Sequence, residues 1–543
     1  MTGTVPGVAA TGTGWPDEFV ARYVAAGVWG DRTLGGLPRE WARRAPRDPA
    51  LVSGAERIDY SDLDRRVDEM AAGLLRRGIG AGDAVVLHLP NVPEFVVVLF
   101  ALARIGALPV LVLPAHRRAE VSHVAAVSGA VAYVVPDRHE GFDYRSLATE
   151  VRADVPHLRE VLVVGDPGEH GALDEVPVPG AGPVPDAARS EDVALLLMSG
   201  GTTGRPKLIP RTHRDYVYNA EATAEVCGLT SADVTLSVLP IGHNLPLACP
   251  GVIGTMAVGG TVVLARAGSP ETAFELIERE GVTFAAVVPP LARLWVEAAT
   301  AGGAPRGLRS LMVGGARCDR ALAASIGPAL GCRLIQSFGM AEGLLTHTRP
   351  EDGDELVVGT QGRPLSPLDE IRVLGPDGTP VPAGEVGELW TRGPYTIRGY
   401  HRAPEYNALA FDAEGFYRTG DLVRVLPSGH LVVEGRVKEV VNRGGENVSE
   451  TELEEQLLEH PDVVRAAVFG LPDPDLGEIV CAALVLAGGV GKPPRAKDVA
   501  AFLRTRGLAR FKHPDRLFIV DDLPLTAVGK VDKKALARTV TPT

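Results

Sequence analysis

Residues 198–213, MSGGTTGRPKLIPRTH, follow the apolar run Val193 to Leu197 and are the segment best equipped for chemistry. Gly200, Gly201 and Gly204 let the backbone approach an anion closely. Successive N–H groups and the hydroxyls of Ser199, Thr202 and Thr203 can donate to its oxygens, and Lys207 adds a cation. The natural ligand of such a loop is a polyphosphate. The loop is not of the Walker type. Pro206 separates glycine from lysine, and Leu208 stands where GxxxxGK[ST] requires a magnesium-binding hydroxyl. A plain Gly/Thr turn is the bland alternative for this segment by itself.

Other segments are weak singly. GGARCD (314–319) follows a short strand pattern and offers backbone groups to a purine edge, though it also reads as a simple turn. SFGMAEG (337–343) joins the aromatic face of Phe338 to Glu342, an acid able to bind magnesium beside phosphates; alone, it is a solvated glutamate. YRTGD (417–421) ends in Asp421, which can accept both hydroxyls of a ribose or simply close a turn. GRVKEVVNRGGENV (435–448) sets Arg436 beside a Gly-rich turn, and LPLTAVGK (523–530) presents Lys530 near the end of the sequence.

The elements that must position these residues alternate between helix and strand. Asp62 to Arg77 has helical spacing, Ala84 to Leu89 reads as a buried strand, and Phe95 to Pro114 reads as a core helix followed by a buried strand, since Arg104, Gly106 and Pro109 interrupt it. Strands are expected at Val161–Val164, Val234–Leu239, Thr261–Leu264, Phe284–Val288 and Ser310–Val313, several followed by helices, which predicts a parallel-rich α/β architecture. From Asp369 short strands and turns predict a β-rich subdomain. After Arg436 a fresh βαβ-like pattern begins, with helices at Glu450–Leu458 and Ala496–Arg506 and strands at Val463–Gly470 and Ile479–Leu486. A boundary is expected at 436–438.

A chain of 543 residues with 45% apolar content predicts at least two domains. A net charge of −13 provides no basic field for nucleic acid or an anionic membrane, so neither is an expected partner. Cys227, Cys249, Cys318, Cys332 and Cys481 form no zinc-type spacing, and the N-terminus lacks the basic and apolar regions of a secretory signal; a cytoplasmic location follows. Composition and periodicity leave monomer and homodimer equally open.

Taken together and in order, these motifs resemble the adenylate-forming superfamily of acyl-CoA synthetases, luciferases and peptide-synthetase adenylation domains, over essentially the whole chain. The resemblance implies a large N-terminal adenylating domain (1–435), a hinge (436–438) containing Lys438, and a small mobile C-terminal α+β domain (439–543) with Lys530 as catalytic lysine. It implies that residues 199–204 and Lys207 hold ATP phosphates. Gly314, Gly315, Ala316, Phe338 and Gly339 would border adenine, Asp421 and Arg436 would hold ribose, and Glu342 would bind Mg2+. The expected reaction is attack of a carboxylate on the α-phosphate of ATP, with pyrophosphate leaving and an acyl-adenylate formed; the carboxylate is already ionised, so no general base is needed. A thiol then displaces AMP.

WPDEFVARYVAAGVWGD (15–31), LPAHR (113–117), the 199–213 segment and LPIGHNLPLACPG (239–251) are similar to freestanding aryl-acid AMP ligases, which activate 2,3-dihydroxybenzoate or salicylate in siderophore and related nonribosomal peptide biosynthesis. This resemblance implies that His243 lies beside the substrate carboxylate and that Asn244 recognises the ortho hydroxyl, with Leu245, Cys249, Gly315, Ser337 and Met340 lining the pocket. Leu245 replaces the Tyr usual in dihydroxybenzoate enzymes. Cys249 replaces a serine, as in the salicylate type, and Ser337 replaces Val. The expected substrate is a salicylate-like acid with another polar group, such as 3-hydroxyanthranilate or 3-hydroxypicolinate, or plain salicylate. No carrier serine motif follows Lys530, so any carrier is expected to be a separate protein; its phosphopantetheine thiol, free CoA, an amine and an alcohol stay open as acceptors. A non-catalytic nucleotide-binding regulator is the alternative of another class.

Overall fold

A computed structural model describes residues 14–199, 206–437, 440–443, 446–473, 476–489, 493–506, 508, 510–526 and 529–540. Two compact units pack separately: residues 1–370 with 391–417, and residues 371–390 with 418–543. The β-rich stretch beyond residue 370 thus groups largely with the C-terminal residues. The expected cut near 436–438 falls inside the second unit, and Lys438 lies outside the described residues.

Among the described residues the first unit contains a nine-stranded and a seven-stranded sheet. The nine-stranded sheet has a parallel centre, in which Val234–Ser237, Thr261–Leu264, Phe284–Val287, Ser310–Val313 and Arg333–Met340 take part. These strands are buried Val/Leu/Ile-rich runs, as a sheet covered on both faces requires. In the seven-stranded sheet, Val193–Met198 lies between parallel Leu108–Leu111 and antiparallel Leu208–Thr212. The last strand escapes a pattern reading because it contains Pro210, which is tolerated on an edge strand.

The run at 95–114 forms helix Pro93–Arg104 and strand Leu108–Leu111. Arg104 is fully buried, yet its guanidinium donates to Asp68 (2.7 Å), Asp64 (2.6 Å) and the Gly35 carbonyl (2.9 Å), so its charge is compensated inside the core. Among the described residues no helix is long and apolar enough to cross a membrane.

The second unit holds a four-stranded sheet built mainly from its own residues, with Tyr417–Val425 antiparallel to Leu431–Arg436. It also holds a five-stranded sheet. Here the two expected strands, found at Val463–Asp473 and Gly477–Leu486, pair as an antiparallel hairpin. The parallel β–α–β unit is formed instead by Gly477–Leu486, helix Ala496–Thr505 and the unforeseen strand Arg516–Ile519. The short link between the first two strands forbids a crossover. The α/β class, the β-rich portion and the large and small parts agree with expectation.

Four buried imidazoles in the first unit predict how acid acts on the fold. Burial pulls His88 and His347 down to about 3, and His213 and His401 down to about 4, from an ordinary value of 6.5. The unfolded chain therefore takes up protons below pH 6.5 that the folded chain refuses until about pH 4. Their stabilising contribution is complete above 6.5 and lost as pH falls through the folded values. Asp369, pushed up to about 7 by burial, and Asp215, also raised by burial, work in the opposite direction, two carboxyls against these four rings. The melting temperature is expected to fall between pH 6.5 and 4; a flat profile by scanning calorimetry would contradict this assignment.

Candidate active site

The loop segment is closed at its base by two reciprocal bonds. Ser199 N–H donates to the Lys207 carbonyl (2.9 Å), and Lys207 N–H donates to Ser199 Oγ (2.9 Å). This continues the register in which Met198 faces Leu208. Gly200, Gly201, Thr202, Thr203 and Gly204 lie outside the described residues. The Lys207 ammonium stands 3.9 Å from the Tyr406 ring centre, a cation–π position.

The parallel strand Ser310–Val313 ends at Gly314, which is buried against Ser337 and Leu245. A Cβ there would lie 3.2 Å from Ser337 Cβ and 3.5 Å from Leu245 Cδ2. Gly315 turns with φ +79°, a conformation other residues rarely adopt, and Gly315 and Ala316 are exposed. On the neighbouring strand Ser337 is buried, Phe338 and Met340 are half-buried and Gly339 is exposed. The sequence-predicted Leu245, Gly314 and Ser337 thus come together.

Glu342 follows this strand and is buried. Tyr400 O–H donates to its Oε1 (2.8 Å), and Tyr400 and Tyr417 hydroxyls lie 2.9 Å apart. Burial, reinforced by Glu342, raises the Tyr400 phenol far above its ordinary range, so it stays a donor. The carboxylate is therefore held in one orientation. Among the described residues no group of three or more His, Cys, Asp or Glu could hold a metal. A lone steadied carboxylate fits Mg2+, which keeps several waters and takes its remaining oxygens from substrate phosphates.

His243 caps the short helix Asn244–Ala248, its Nδ1 accepting from Leu245 N–H (3.3 Å). Asn91 steadies the approach: its amide donates to the Ser237 and Leu239 carbonyls (both 3.0 Å) and accepts from Ile241 N–H (2.9 Å). Asn244 is buried; its Oδ1 accepts from Tyr216 O–H (2.9 Å) and its Nδ2 reaches Cys249 Sγ (3.3 Å). Burial pushes the Cys249 thiol up to about 12, so it is protonated and weakly polar.

Against Asn244 and Cys249 runs a buried polar chain that sequence reading did not assign. Arg211, fully buried, donates to Asp215 (2.8 Å), to Asn219 Oδ1 (3.3 Å) and to the Ala341 carbonyl (3.1 Å), next to Glu342. Asn219 Nδ2 donates to the Ala248 carbonyl (2.7 Å) and approaches Cys249 Sγ at 3.7 Å. The available signal was the spacing of Arg211, Asp215, Asn219 and Thr223, a polar stripe four residues apart along helix His213–Val226 and the strand end leading into it.

In the second unit Asp421 and Arg436 sit opposite each other on paired strands, Arg436 Nε donating to Asp421 Oδ1 (2.8 Å). Lys530 is exposed on a turn closed by Thr526 N–H to the Lys530 carbonyl (2.6 Å) and by Lys530 N–H to Thr526 Oγ1 (3.2 Å).

Strand Val193–Met198 thus leads into the Gly/Thr-rich segment, Tyr400 steadies the Glu342 carboxylate, and the Asn244 amide is buried between Tyr216 and Cys249, an arrangement that suits an enzyme joining an acid to a nucleotide. Residues 38–401 match the AMP-binding enzyme family and residues 452–530 match the AMP-binding enzyme C-terminal domain. The chain is 49% identical to salicyl-AMP ligase / salicyl-S-ArCP synthetase of Mycobacterium tuberculosis, covering 96% of this chain and 94% of that protein. It is 47% identical to 2,3-dihydroxybenzoate-AMP ligase of Bacillus subtilis, covering 97% of each. The apo structure of Mycobacterium smegmatis MbtA superposes with a TM-score of 0.77 at 49% identity, over 98% of this chain and 99% of that one. The chain belongs to the AMP-binding enzymes, and within them it is an ATP-dependent ligase of the aryl-acid AMP type. The alternative of a non-catalytic regulator is thereby set aside.

Proposed function

We propose that the protein joins a salicylate-like hydroxylated aromatic acid to AMP, releasing pyrophosphate, and then passes the aroyl group to the phosphopantetheine thiol of a separate carrier protein. The observation that carries the reading is Asn244, a buried amide between Tyr216 and Cys249, next in sequence to Leu245, which packs toward Gly314 and Ser337. A buried amide beside the side chains of Leu245 and Cys249 suits a flat ring with an ortho substituent. His243 supports the same reading: with Nδ1 accepting from Leu245, the neutral ring carries its proton on Nε2, a donor for a carboxylate oxygen.

In this reading a carboxylate oxygen bonds to the α-phosphorus, the bond to the pyrophosphate oxygen breaks, and charge at phosphorus is met by Lys530, Lys207 and the donors of residues 199–204. Glu342 would hold Mg2+, which would neutralise phosphate charge. Gly314, Gly315, Ala316, Phe338 and Gly339 border adenine, while Asp421 and Arg436 hold ribose. Leu245, Cys249, Ser337 and Met340 line the acid pocket. For the second step the domain beyond 436–438 turns about Lys438, withdrawing Lys530; the thiol attacks the acyl carbon and AMP leaves. The five cysteines, all free and buried, support a reducing, cytoplasmic setting.

The test is pyrophosphate release with ATP and magnesium across salicylate, 2,3-dihydroxybenzoate, 3-hydroxyanthranilate, 3-hydroxypicolinate, anthranilate, benzoate and a medium-chain fatty acid. Turnover confined to ortho-substituted aromatic acids is expected. Turnover only with benzoate or the fatty acid would overturn the substrate. Thioester formation with free CoA but not with a carrier would make the protein an aryl-CoA ligase, and amide or ester formation would point to an amine or alcohol acceptor.

A further inference from the structure

We propose that Tyr216 sets the hydrogen-bond polarity of the aryl-acid pocket by holding Asn244 so that it offers N–H, not oxygen, to the substituent ortho to the carboxylate. The inference rests on the reading of Asn244 as the ortho-recognising residue.

Tyr216 is fully buried on helix His213–Val226. Its phenol therefore stays protonated, and that proton needs an acceptor. Asn244 Oδ1 supplies it at 2.9 Å, and the described residues give this hydroxyl no other acceptor. Flipping the amide would turn two N–H donors toward the phenol and strand its proton in the core, which is costly. Asn219 is locked in the same way from below. Its Oδ1 accepts from Arg211, a group that cannot itself accept, so its Nδ2 must face the Ala248 carbonyl and Cys249. Cys249 Sγ thus meets N–H groups from both asparagines. Sulfur is a weak acceptor, and a substrate oxygen competes with it easily for Asn244 Nδ2.

This polarity discriminates among ortho substituents. An ortho hydroxyl donates to its own carboxylate and turns an oxygen lone pair outward, where an N–H can meet it. An ortho amine also donates to the carboxylate, but it turns a second N–H outward, and its lone pair is delocalised into the ring. Donor then faces donor. Salicylate and 3-hydroxypicolinate, whose ring nitrogen is likewise an acceptor, fit the pocket better than anthranilate and 3-hydroxyanthranilate.

The experiment compares kcat/KM for salicylate and anthranilate in wild type and Tyr216→Phe, with the KM for ATP measured alongside. Wild type is expected to favour salicylate by about tenfold or more. In Tyr216→Phe the amide is free to turn, and the ratio should shrink by about tenfold while the KM for ATP is unchanged. An unchanged ratio in the variant, with both acids slowed alike, would make Tyr216 merely structural and overturn the proposal. Should the variant fail to fold, the wild-type ratio of 3-hydroxypicolinate to 3-hydroxyanthranilate decides, and a preference for the amine overturns it. If wild type turns over none of these four acids, the reading of Asn244 as the ortho-recognising residue fails and the proposal with it.

Discussion

Lys530→Ala is expected to slow acid-dependent pyrophosphate release by about two to three orders of magnitude, the usual effect of removing one donor aimed at developing charge. Thioester formation from a supplied acyl-adenylate should change by no more than a few-fold. The split follows from chemistry. Phosphorus gains negative charge in the first half-reaction, while in the second a neutral carbonyl is attacked and AMP departs with its charge already formed. The side chain is exposed, and the turn beneath it is closed by backbone and Thr526 bonds that alanine retains, so the fold should survive. The measurement is single-turnover kinetics of each half-reaction in the same preparation. Equal loss in both would mean that one arrangement of the domains serves both steps, and the hinge at Lys438 would have no role.

The second large effect is on stability. Arg211→Met removes a guanidinium whose partner Asp215 is itself buried, with burial pushing that carboxyl up against the opposing pull of Arg211 and two hydrogen bonds from Thr212. Leaving one partner of a buried pair unmatched costs about 3–5 kcal/mol. Urea unfolding should show a loss of that order, and a loss below about 1 kcal/mol would mean that water or a rearranged Asn219 replaces the guanidinium. Combining it with Asp215→Leu should recover part of the loss, because no charge is then stranded; recovery stays partial since Asp215 also caps the helix through Thr212.

How far the sequence could be read follows from which interactions are local. The strands at Thr261–Leu264 and Ser310–Val313 and the helix at Glu450–Leu458 fall where their apolar patterns predict, because each is a continuous run bounded by turn residues. Pairing in the C-terminal part was not legible. Whether two strands run parallel depends on the link between them and on a third strand, Arg516–Ile519, whose alternation is too short to register. The loop at 198–207, Glu342, Asn244 and Cys249 were legible as residue types in motifs. Arg211, Tyr216 and Asn219 were not, since a helix face bearing Arg, Asp and Asn reads as solvated until the fold buries it. Only tertiary packing distinguishes a polar stripe in water from one inside a core.

The strand Leu208–Thr212 has a further consequence for life in a concentrated solution. Lying at the rim of its sheet, it is a place where another chain could add a strand and start a growing assembly. Pro210 offers no N–H to such a visitor, and the Leu208 carbonyl already accepts from His401 N–H (2.9 Å). The edge strand is in this way a blunted template, one that resists the addition of a strand from a second chain.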